Sequence, residues 1–146
     1  MFELKEIEIH YKSLMTFEER VNISTPKETF LFALKIWPST IEVQESFYVL
    51  FLNRANQILG VYPLSKGNIS ATVVDVKTMI AVALRTLTQS IIMIHNHPSG
   101  NTKPSKADDE ITKKVQEGCN YLDINLLDHL IITRESYYSY SEENKL

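Results

Sequence analysis

His95 and His97 lie one residue apart, Asp108 follows eleven residues after His97, and Ser105 stands three residues before that carboxylate. Two imidazoles and a carboxylate are a donor set for zinc, and three protein ligands leave a fourth position for water. Such a water has its pKa lowered to about 7, which makes hydroxide available at neutral pH, and the net positive charge left on the ion polarises a carbonyl. These residue types point to metal-assisted hydrolysis. A proton shuttle would complete the chemistry, and the chief candidates are Glu42 and Glu45, ahead of the run Ser46–Asn53.

The elements that would position these groups can be read from the flanking residues. Ser90-Ile91-Ile92-Met93-Ile94 is apolar and β-branched, a buried strand that delivers His95 to its end and His97 into the loop beyond. In extended backbone residues i and i+2 point the same way, so the two imidazoles face one partner. Pro98-Ser99-Gly100-Asn101 then breaks the strand. After Pro104 the apolar spacing becomes helical, with Ala107, Ile111, Val115 and Gly118 or Cys119 recurring, and Ser105 and Asp108 share the first turn of that helix. Ser105-x-x-Asp108 also reads as an N-cap with an acid in the first turn, a role compatible with ligation. Ser46–Asn53 is aromatic and β-branched enough to be a buried strand, and a carboxylate at its mouth meets the metal only if that strand neighbours Ile91–Ile94. Otherwise it is a solvated charge at a strand start.

His95-x-His97-Pro98, Ser105 seven residues further on and Asp108 after two more resemble the JAMM motif of the JAB/MPN metalloproteases. His95–Gly100, Pro104-Ser105 and Leu127-Asp128-His129-Leu130-Ile131 further resemble the RadC branch of that superfamily, over about residues 25–140. The resemblance implies that His95, His97 and Asp108 bind one zinc ion and that Ser105 helps hold the water and the tetrahedral oxyanion. It also implies a glutamate general acid/base from an earlier strand, and alignment with the family's Glu-x-Phe-x-Val-Leu-like run selects Glu45. The implied activity is that of a zinc metallopeptidase or isopeptidase, with an extended substrate laid beside a sheet edge and Ser99–Lys103 as the gate. The implied fold is α/β, a mixed sheet flanked by helices, similar in layout to the cytidine deaminases. Longer members carry an N-terminal helical region suited to DNA or partner contact, and this chain is expected to lack it. The family name carries a DNA-repair label.

Rival metal chemistries are missing their residues. A zinc nucleobase deaminase needs His-x-Glu and Pro-Cys-x-x-Cys, whereas His97 stands where that Glu belongs and Cys119 is the one cysteine. No His-Glu-x-x-His occurs, and the histidines of an HNH nuclease lie on separate elements. The rival class is a non-catalytic module that binds protein or DNA, since folds host unrelated functions. Lys103, Lys106, Lys113 and Lys114 near the site lend it local support, but helix-surface lysines are usually solvation and the formal net charge of −3 supplies no general attraction for nucleic acid.

At 146 residues, 44% hydrophobic and 23% charged, the chain reads as one globular domain spanning 1–146. A single cysteine excludes an internal disulfide. No signal peptide or apolar run of eighteen residues is present, so a cytoplasmic protein without membrane contact is expected. Glu6–Tyr11 alternates as a half-buried strand; Thr25-Pro26-Lys27-Glu28 is a capping box opening a helix that Trp37-Pro38 ends. Asn53–Gln57 turns into a strand over Ile58–Leu64, and Asp75 caps a helix through Val76, Ile80, Ala83, Leu84 and Leu87. Leu127–Thr133 and Tyr137–Tyr140 close the series as strands. His129, in an apolar strand beside Asp128, reads as a hydrogen-bonded core histidine, or alternatively as a residue that orients a ligand.

Overall fold

The computed structural model describes residues 18–66 and 74–146, together with Lys12 and Thr16. The expected strand over Glu6–Tyr11, with His10, lies outside the described residues. The elements run α1 (Pro26–Ile36), β1 (Ser46–Leu52), β2 (Ile58–Lys66), α2 (Val76–Arg85), β3 (Ser90–Asn96), α3 (Lys106–Tyr121), β4 (Asn125–Ile132) and β5 (Tyr137–Ser139). The strands form one sheet in the order β2-β1-β3-β4-β5. β3 and β4 are parallel, and the other pairs are antiparallel.

Parallel neighbours need a crossover, and α3 supplies it between β3 and β4. Both faces of the sheet are covered, which is why the central strands read as unbroken apolar runs. On one face α1 contributes Phe30 and Ala33 to a core with Leu50, Leu52, Ile92, Ile94, Leu130 and Ile132. On the other, Met79 and Ala83 of α2 and Ile111, Val115 and Cys119 of α3 pack on Phe47, Val49, Phe51, Ile91 and Met93. The two-residue period of β3 therefore sends His95 toward the α2/α3 face and Asn96 toward the α1 face.

Local chemistry sets the helix starts. Thr25 accepts the Glu28 N–H and Glu28 accepts the Thr25 N–H, with Pro26 at the first helical position. Asp75 caps α2 by accepting the Thr78 N–H. That helix ends at Arg85, so Leu87 falls beyond it with a φ of 52°, exposed rather than on the packed stripe. The Asn53–Gln57 turn is held by the Asn53 carboxamide oxygen, which accepts the N–H groups of Ala55 and Gln57. Among the described residues no helix is long and apolar enough to cross a membrane.

Candidate metal centre

β3 ends in His95 and Asn96, and the first turn of α3 returns Asp108 to the same point. The packed stripe of α3 runs Asp108, Ile111, Thr112, Val115 and Cys119, so the carboxylate occupies the buried face where an apolar residue would otherwise sit. Ser105 caps the helix: its hydroxyl accepts the Asp108 N–H at 3.1 Å and donates to Asp108 Oδ2 at 2.7 Å. The Ser105 N–H donates to the same oxygen at 2.7 Å. Capping thus holds Oδ2, which also lies 3.5 Å from His97 Nε2, and leaves Oδ1 3.1 Å from His95 Nε2.

The donor atoms suit a small cation. His95 Nε2 lies 3.0 Å from His97 Nε2, and His97 Nε2 lies 3.5 Å from the Asp108 carboxylate. Adjacent ligands of tetrahedral zinc, at metal distances of 2.0–2.1 Å, stand about 3.3 Å apart. The spacing of His95, His97 and Asp108 is close to that of one triangular face of such a site, and the three are a group able to hold a metal ion. The Nδ1 of His97 donates to the Asn101 carbonyl at 2.7 Å, which leaves its Nε2 as the lone-pair nitrogen. Gly100, at a φ of +82°, makes the left-handed turn that brings that carbonyl back.

Electrostatics agree with this geometry. Burial opposes charge at Asp108, yet the imidazolium forms of His95 and His97, which donate to it from Nε2, together with the Ser105 hydroxyl, hold its carboxyl far below the usual range. Burial would lower the pKa of His97, but Asp108, the Asn101 carbonyl and the charge of Glu45 outweigh it and raise the value. His129 is fully buried, and burial together with the neighbouring His95 keeps it well below the ordinary imidazole value.

Glu45 immediately precedes β1, half-buried, and its charge acts on His97. The condition set by the sequence holds, since β1 lies beside β3 with Phe47 opposite His95. Glu42 is placed elsewhere, its Oε2 accepting from Arg134 at 3.0 and 2.9 Å. The pair borders a cleft against His97, Pro98, Ser99 and Gly100. Lys103, Lys106, Lys113 and Lys114 are exposed, and Lys106 faces Glu110 at 3.7 Å.

Sequence reasoning missed two residues. Asn96 is fully buried; its amide donates to the carbonyls of Ile41 at 2.6 Å and Gln44 at 2.9 Å, and its oxygen accepts the Ser46 N–H at 2.8 Å. It clamps the segment that carries Glu45, and the signal was its alternation with His95 on a strand buried on both faces. Thr112 is the other: its hydroxyl lies 2.6 Å from both the Asp108 carbonyl and His129 Nδ1. Its i+4 spacing from Asp108 marks it as the polar member of the buried stripe.

Residues 23–146 match the family model for the RadC-like JAB domain. The chain is similar to a "UPF0758 protein" of Flavobacterium johnsoniae, 46% identical over 99 residues, which are 68% of this chain and 43% of that protein. Like-named proteins of Streptococcus sanguinis and Streptococcus gordonii are each 41% identical over 103 residues, 70% of this chain and 45% and 46% of theirs. The chain thus spans somewhat less than half the length of these relatives.

Proposed function

Because the chain belongs to the RadC-like JAB domain family, we propose that it is a zinc-dependent hydrolase of amides, cleaving a peptide or isopeptide bond. The observation that carries this reading is the convergence of His95 Nε2, His97 Nε2 and Asp108 on one point, with the charge of Glu45 acting there. A zinc ion held by these three ligands would supply Lewis acidity toward the scissile carbonyl and acidify the attacking water.

The chain's own groups do the rest. Glu45 takes the proton from the attacking water and delivers it to the leaving amine, which suits a half-buried carboxylate near a cation. The single proton of the Ser105 hydroxyl rests on Asp108, so it must rotate away to donate to the oxyanion. The Ser105 backbone N–H still secures Asp108 Oδ2 when it does. The Asn96 hydrogen bonds hold the Ile41–Ser46 segment, and with it Glu45, against β3. Substrate would enter along the cleft that His97, Pro98, Ser99 and Gly100 line, with the Ser99–Lys103 loop as its gate.

The test is incubation of zinc-loaded protein with a degenerate peptide library, read by mass spectrometry, beside Glu45→Gln. Cleavage by the wild type alone, with equal zinc in both proteins, is the expected result; equal cleavage by both removes Glu45 from the mechanism.

A further inference from the structure

His95 Nδ1 lies 2.8 Å from His129 Nε2, and His129 Nδ1 lies 2.6 Å from Thr112 Oγ1. Thr112 Oγ1 lies 2.6 Å from the backbone carbonyl of Asp108. This chain of contacts begins on one metal-binding residue and ends on another, and a backbone carbonyl sets its direction. A carbonyl can only accept, and a threonine hydroxyl has one proton, so Thr112 donates to Asp108 and must accept from His129. His129 then carries its proton on Nδ1 and presents Nε2 as an acceptor. His95 answers with a proton on Nδ1, which leaves its Nε2 lone pair for the metal.

Reversing the chain would set the Thr112 oxygen against the Asp108 carbonyl oxygen at 2.6 Å with no proton between them. The His129 ring has no freedom to escape, being fully buried, stacked on Tyr140 at 5.0 Å and packed against Phe47 at 5.6 Å.

We propose that His129 is a positioning residue for the metal centre, fixing His95 as an Nε2 ligand through a one-way hydrogen-bond chain anchored by Thr112 on the Asp108 carbonyl. The proposal rests on the zinc reading above and extends it. His97 reaches the same end by a shorter route, through the Asn101 carbonyl. Both imidazoles are aimed before a metal arrives, and the His95 chain also couples the α3 first turn to β4.

Competition titration of the metal-free protein with zinc and a chromophoric chelator tests this, alongside thermal melts of the same metal-free samples. His129→Leu keeps an apolar filler but gives His95 Nδ1 no acceptor, and it is expected to bind zinc 10- to 100-fold more weakly, a range typical of lost ligand-orienting partners. In His129→Gln the side-chain oxygen can accept from His95 while its amide donates to Thr112, and most of the affinity should return. Thr112→Val releases only the far end and should weaken zinc by a smaller factor, several-fold. A purely space-filling role moves melting temperatures but not zinc affinity, so wild-type affinity in His129→Leu and Thr112→Val overturns the proposal. If His129→Leu does not fold, Thr112→Val decides alone. A wild-type protein that takes up no zinc overturns the metal reading itself, and this proposal with it.

Discussion

Asp108 Oδ2 completes the cap with Ser105 and also lies 3.5 Å from His97 Nε2, while Oδ1 lies 3.1 Å from His95 Nε2. Because the Ser105 backbone N–H holds Oδ2 as well, the cap hydroxyl can be removed without freeing the carboxylate. Ser105→Ala removes the cap hydroxyl but not the backbone N–H on Oδ2, so denaturant unfolding should show a loss of about 1 kcal/mol while zinc content stays that of the wild type. Loss of zinc in that variant would mean that the hydroxyl, not the backbone, holds Asp108. At this scale the motif residues were legible because ligand spacing and capping are both local in sequence. Asn96, Thr112 and the direction of the His129 contact were not, because each depends on a partner from another element. His129 in particular sits in a run whose apolarity describes the strand and says nothing of the histidine it meets.

β3 divides its work between its faces, with His95 turned to His97 and Asp108 and Asn96 to the loop before β1. Asn96→Leu would strand the carbonyls of Ile41 and Gln44 and the N–H of Ser46 without partners, and an unmet buried polar group costs about 1–3 kcal/mol. Not all three need remain buried after relaxation, so denaturant melts should show a loss of about 2–4 kcal/mol. Hydrogen exchange should rise at residues 41–46 before it rises in β3. Exchange that rises equally everywhere would deny Asn96 a specific hold on the Glu45 segment. Element types and most boundaries followed from apolar period, capping boxes and turn residues. The exception at Leu87 has a local cause: α2 closes at Thr86, whose hydroxyl bonds back to the Val82 carbonyl, and the chain then turns through a positive φ.

The whole molecule places the site at the carboxyl end of β3, where the chain leaves a parallel pair and enters α3, a position where α/β sheets commonly open a crevice. Apolar runs showed which strands are buried on both faces, but strand order was not legible, because it depends on pairings distant in sequence. Protonation of the metal-free protein follows from the same assembly. His129 stays neutral in the fold while an unfolded histidine protonates near pH 6.5, so stability falls as pH drops below that value. His97 has a raised pKa, so its contribution is present below about pH 6.5 and fades as pH rises through the folded value. The depressed Asp108 adds a further loss below about pH 4. Thermal melts of metal-free protein should therefore peak near pH 6–7, and zinc, which needs neutral imidazoles, should move that maximum upward. A metal-free melting temperature that climbs steadily from pH 6 to 8 would contradict these assignments. An open site built by His95, His97 and Asp108 should hold one zinc per chain in wild-type protein purified without chelator, measured by elemental analysis, and His97→Ala should hold none. A wild-type protein without zinc, even after incubation with the ion, would rule that site out.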